Sequence, residues 1–210
     1  MKLRSHCVPS VRALYSQKNM VILKNELLLK DLLIHSKGEL RYIPYLIDAA
    51  KKLEQAGVDF IVMPCNSLHI FIEEIRSSIK IPTLSITEET VKFLKTKAVT
   101  EIGVLLTSSL LKSGLYENSL MKENIKQVVP VKTDQDKIGY LINRLVLNSY
   151  TDNDKGDLLE IITKLRENNT RSVILACTDL QLLVPHNLEQ KVFDTMKILA
   201  AATVDMIMSK

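Results

Sequence analysis

The 210-residue chain is poor in cysteine and has no glycine before Gly38. Its three cysteines, Cys7, Cys65 and Cys177, are an odd number at wide spacing. That count and spacing exclude a disulfide framework and a zinc-binding pattern. The longest apolar runs are strand-length, too short to span a membrane. Residues 1–8 carry no apolar signal core, so no secretion signal is read and a reducing cytoplasm is expected. Net charge is +4, yet Lys and Arg are spread along the chain without a dense basic run. Nucleic acid is therefore not implied as a partner. Low-complexity segments and long linkers are absent too.

What remains is an ordinary globular balance, 46% hydrophobic and 25% charged, long enough to bury a real core. Short apolar runs alternate with segments of helical spacing. Strands are expected at 20–23, 58–63, 81–86, 102–107, 128–131, 172–176 and 191–195. Helices are expected at 39–56, 71–78, 87–95, 110–122, 135–147, 157–167 and 196–208, with 27–36 helical or irregular and 148–155 a loop. Alternation of this kind argues for an α/β protein with parallel sheets flanked by helices. Two domains are expected, residues 1–96 with 191–210, and residues 97–190.

Two stretches carry the chemistry. Phe60-Ile-Val-Met-Pro-Cys-Asn-Ser-Leu-His69 reads as a buried strand that breaks at Pro64 and delivers Cys65 to a loop. Ser172-Val-Ile-Leu-Ala-Cys-Thr-Asp179 does the same for Cys177. Each thiol lies just past the carboxyl end of a strand, the edge where α/β sheets bind ligands, and each precedes a small polar side chain.

Met63-Pro-Cys-Asn-Ser-Leu-His69 resembles the first cysteine signature of the aspartate/glutamate racemase family, and Ala176-Cys-Thr-Asp-Leu180 the second. Thr107-Ser-Ser109 with Ser113-Gly-Leu-Tyr116 resembles the family's second-domain hydroxyl loop and helix. Val192-Phe-Asp-Thr195 with Ile198 resembles its closing strand and helix. The resemblance covers roughly residues 20–210. It implies two similar domains related by a pseudo-twofold, with one cysteine on each side of an active-site cleft. It also implies racemisation of aspartate or glutamate without pyridoxal phosphate or any other cofactor. Hydantoin racemisation and maleate isomerisation reuse the same two-thiol cleft and stay open, as does a homodimer. One departure stands out: residues 1–19 show no strand and glycine-rich loop of the kind that opens family members, so that unit is expected to be missing or replaced.

Racemisation removes a proton from one face of Cα and returns one to the other, which two opposed acid/base groups do simply. Cys65 and Cys177 are the expected pair, one as thiolate and one as thiol, with roles exchanged by direction. A helix N-terminus beside each would help it ionise. Without a cofactor, donors at the substrate carboxylate must hold the developing charge. Asn66, Ser67, Thr107, Ser108 and Thr178 are the candidates, through side chains and adjacent backbone N–H groups. His69 and Asp179 would orient or tune the thiols. Arg41, Lys24 and Lys132 are candidate cations for a side-chain carboxylate. No metal site is expected.

Each assignment has a plainer rival. A lone buried cysteine is commonly a small hydrophobe. His69 could cap the following helix, Thr107 to Ser109 could be a helix cap, and Asn66 and Thr178 could satisfy turn backbone. Cys7 reads as an incidental thiol, and His6, His35 and His186 have no partner pattern. The Leu27 to Leu33 stripe reads as core or a subunit contact. The rival for the whole chain is a catalytically silent relative that binds a small carboxylate or serves as an assembly subunit.

Overall fold

The computed structural model describes residues 43–167, 170–185, 188 and 191–209. The elements expected at 20–23 and 27–36 lie outside these residues, as do Cys7, His6, His35, His186, Lys24 and Arg41. Two compact units divide the described chain: residues 43–63, 72–84 and 200–209, and residues 64–71 with 85–199.

In the first unit, helix α1 (Ile43–Gln55) packs on helix α2 (Ile72–Ser78). Gly57 ends α1 with φ +77°, a left-handed conformation that glycine adopts without strain. Strands β1 (Ile61–Val62) and β2 (Thr83–Leu84) pair in parallel, with Ile61 opposite Thr83. Both are shorter than the apolar runs that contain them, because Pro64 and Pro82 supply no N–H to extend the ladder.

The second unit holds a four-stranded, wholly parallel sheet. Its strands are β3 (Glu101–Leu106), β4 (Lys126–Val128), β5 (Ser172–Ala176) and β6 (Lys191–Asp194), in the order β4-β3-β5-β6. Strands β3 and β5 are apolar on both sides because both faces are covered. Leu105, Val173 and Leu175 point to one face, against helices α6 (Lys132–Val146) and α7 (Asp152–Glu167). Ile102, Val104, Leu106, Ile174 and Ala176 point to the other. There they meet α3 (Ile86–Thr96), α4 (Ser108–Ser113) and α5 (Leu115–Met121). This odd–even split is the two-residue period of a strand made visible in the core. Helix α8 (Thr195–Met208) follows β6 directly.

The chain leaves β3 towards the α4–α5 face. After β5 it enters a 3-10 turn, Leu180–Leu183, whose Leu180 and Leu183 join the α6–α7 core. Neighbouring parallel strands whose exits diverge to opposite faces leave a crevice at their carboxyl ends, the usual ligand position in open α/β sheets. Thr107 stands at the end of β3 and Cys177 at the end of β5. The Pro64–Phe71 segment that carries Cys65 belongs to this same unit.

Candidate active site

Both cysteines are free thiols and partly buried. Each sits where a strand gives way to a 3-10 turn, Ser67–Phe71 for Cys65 and Leu180–Leu183 for Cys177. The local geometry repeats. The sulfur of Cys65 faces the backbone N–H groups of Ser67 and Leu68, two and three residues on. The sulfur of Cys177 faces those of Asp179 and Leu180, again two and three residues on. Such paired N–H groups favour a thiolate.

Burial works against them and wins. Desolvation pushes the Cys65 thiol above its ordinary value, and the negative charge of Asp179 adds to the rise. Desolvation also pushes Cys177 up, to about 12, with Asp179 and the charge of Cys65 adding to it. The two thiols are thus close enough to act on each other electrostatically. Ionising Cys65 therefore makes ionising Cys177 harder.

The remaining expected residues fall around this pair in different ways. Ser67 and Thr107 come together, hydroxyl to hydroxyl at 3.1 Å, and Thr107 reaches Ser109 at 3.1 Å. Thr107 is also the N-cap of α4, accepting from the Leu110 N–H at 3.3 Å. A hydroxyl row therefore runs from the Cys65 loop to the end of β3. The amide of Gln135 on α6 donates to the Leu106 carbonyl at 2.8 Å and steadies that strand end. Ser108 is exposed at the first position of α4. Thr178 is half-buried, and its carbonyl accepts from the Gln181 amide at 2.9 Å.

His69 is fully buried and bridges two elements. Its Nε2 accepts from the Ile86 N–H at 3.0 Å, where α3 begins. Its Nδ1 therefore carries the proton and donates to the Cys65 carbonyl at 2.7 Å. The imidazole holds the cysteine loop by its backbone. Asn66 is 2% exposed, and its amide is engaged inside the protein. Its Oδ1 accepts from the Tyr116 hydroxyl at 2.6 Å and its Nδ2 donates to the Thr195 hydroxyl at 3.0 Å. Lys132 lies on the surface beside Asp136 at 3.7 Å.

Tyr116 and Thr195 received no role from the sequence. Their links to Asn66 span 50 and 129 residues, a separation that no local pattern reports. Among the described residues no group of three or more His, Cys, Asp or Glu side chains could hold a metal ion.

Known proteins resemble this chain in sequence and in fold. The sequence model of the Asp/Glu/Hydantoin racemase family matches residues 5–203. The chain is 32% identical over 160 residues to the broad specificity amino-acid racemase RacX of Bacillus subtilis, covering 76% of this chain and 69% of that one. It is 27% identical over 158 residues to the glutamate racemase of Persephonella marina, covering 70% of this chain but only 56% of that enzyme. Among solved structures, the aspartate racemase of Picrophilus torridus superposes with a TM-score of 0.74 at 25% identity, covering 93% of this chain and 86% of that one.

Proposed function

This chain belongs to the Asp/Glu/Hydantoin racemase family, and on that premise we propose that it interconverts the L and D forms of aspartate or glutamate with Cys65 and Cys177 as its two acid/base groups. The observation that carries the reading is the repeated setting of the two thiols. Each is half-buried and faces the N–H groups two and three residues on, and Cys177 feels the charge of Cys65.

In the substrate-free site desolvation keeps both thiols protonated. A bound amino acid brings its ammonium cation, and a cation within a few ångströms favours the thiolate. One thiolate then takes the Cα proton while the opposite thiol delivers its own to the other face. The second thiol leaves as thiolate, so the reverse reaction starts from the mirrored state. The carbanion's charge spreads into the substrate carboxylate, where Ser67, Thr107, Ser108 and Thr178, with the backbone N–H of Asn66, are the donors assigned to meet it. Because the charge appears only as the proton leaves, donors fixed there beforehand stabilise the transition state more than the substrate. His69 supports the Cys65 backbone and Asp179 sets the thiols' acidity. No cofactor enters this scheme.

The test is exchange of the Cα proton for deuterium in D₂O, followed by NMR for L- and D-aspartate and then L- and D-glutamate. The wild type is expected to exchange and racemise at least one of the pairs. Cys65→Ser and Cys177→Ser are each expected to lower racemisation by about 10²–10⁴-fold, the usual contribution of a positioned acid or base. Binding without exchange in the folded wild type would instead favour the silent, carboxylate-binding alternative.

A further inference from the structure

Thr195 closes a chain of hydrogen bonds that joins the two thiol-bearing segments. The Tyr116 hydroxyl donates to Asn66 Oδ1 at 2.6 Å. Asn66 Nδ2 donates to Thr195 Oγ1 at 3.0 Å, and Thr195 Oγ1 donates to the Leu175 carbonyl at 2.8 Å. Asn66 follows Cys65 directly, and Leu175 precedes Cys177 by two residues. We propose that the Thr195 hydroxyl is a positioning group that fixes the Cys65 loop against the end of β5 and so sets how the two thiols stand relative to each other.

The direction of every bond supports this. Burial pushes the Tyr116 phenol's pKa up, so it stays protonated and serves as a donor. In the structure it is the amide oxygen of Asn66 that faces it. The amide's N–H then meets the oxygen of Thr195, whose single proton is left for Leu175. Each of the three side chains is bonded in the row, and removing one of these buried bonds costs on the order of 1–3 kcal/mol. Thr195 is fully buried and Asn66 nearly so, which keeps water from substituting for a lost bond. The hydroxyl touches neither thiol, so it acts through Asn66 and the β5 backbone. Its catalytic consequence rests on the two-thiol reading; its geometric consequence does not.

Alkylation tests the geometry without turnover. The rate of iodoacetamide reaction at Cys177 is followed by mass spectrometry against pH, in the wild type and in Cys65→Ser. The charges that raise the Cys177 thiol are Asp179 and Cys65. Removing the latter is expected to move the Cys177 profile to lower pH. In Thr195→Val, which keeps the side-chain shape but loses the hydroxyl, that displacement is expected to shrink. In Thr195→Ser it is expected to return. Should Thr195→Val not fold, Tyr116→Phe replaces it, with the same shrinkage expected. A displacement of full size in the folded hydroxyl-free variant overturns the proposal, as does the absence of any displacement in the wild-type background.

Turnover is the second readout. Thr195→Val is expected to lower kcat about 100-fold, the scale of an ångström's misplacement, with KM changed far less and activity restored by Thr195→Ser. A wild type that shows the alkylation coupling but no exchange would remove the racemase reading and leave the positioning role standing.

Discussion

Each thiol stands between opposed influences, two backbone N–H groups that stabilise its anion and a burial that destabilises it. Asp179 shifts the balance further against ionisation at both sites. It does so from two residues beyond Cys177, where its backbone N–H helps the sulfur while its carboxylate opposes it. Asp179→Asn keeps the N–H and removes the charge, so both thiol pKa values are expected to fall. The rising limb of kcat/KM against pH should then move to lower pH, each unit of movement giving about tenfold more thiolate at a fixed pH below it. A pH–rate profile of the variant measures this, and an unmoved limb would show that Asp179 does not set the active base. His69 illustrates a residue whose role follows from both ring nitrogens at once. The sequence left it between capping a helix and tuning a thiol. The structure ties it not to the helix that follows it, α2, but to the start of α3 through Nε2, and it holds the Cys65 carbonyl through Nδ1.

Element boundaries show where local chemistry was readable and where it was misread. The 110–122 segment has helical spacing throughout, yet it forms two helices. Gly114 takes φ +67° between them, caps α4 and redirects the chain into α5, which brings Tyr116 to Asn66. Gly114→Ala is expected to cost about 1–2 kcal/mol from the left-handed backbone alone. The added Cβ would also lie 3.2 Å from Asn118 Nδ2. A thermal melt should show Tm lowered by about 2–8 °C, by the usual conversion for a domain of this size. Helix α7 starts at Asp152, inside the stretch expected to be loop, because Thr151 and Asp154 bond to each other across its first turn. That capping pair was present in the sequence but hidden among turn-forming residues. Strand β4 lies at 126–128 rather than 128–131, since Pro130 has no N–H to give the ladder.

For the molecule as a whole, the buried thiols have a consequence for stability. The Cys177 thiol rises from an ordinary value of 9.0 to about 12 in the folded state. Between those values the folded chain keeps a proton that the unfolded chain has lost. Stability from this source is therefore complete below about pH 9 and declines as pH rises towards 12. Cys177→Ser, which does not ionise there, is expected to lose less stability than the wild type across that range, as denaturant titrations at pH 8 and 11 would measure. Parallel slopes in the two proteins would mean that Cys177 is solvated in solution. By itself the sequence determined the alternation of strands and helices, the two thiols past strand ends, and the hydroxyls of Ser67 and Thr107 at the ends of their own strands. These follow from period, turn chemistry and strand polarity, which act over a few residues. Only the tertiary structure decided that the Cys65 segment folds in with the second unit, and that Asn66 turns inward to Tyr116 and Thr195. It also decided that burial outweighs the N–H groups at each sulfur. Those outcomes depend on contacts between residues far apart in the chain and on how much water the assembled core excludes, and neither quantity is written into any local stretch.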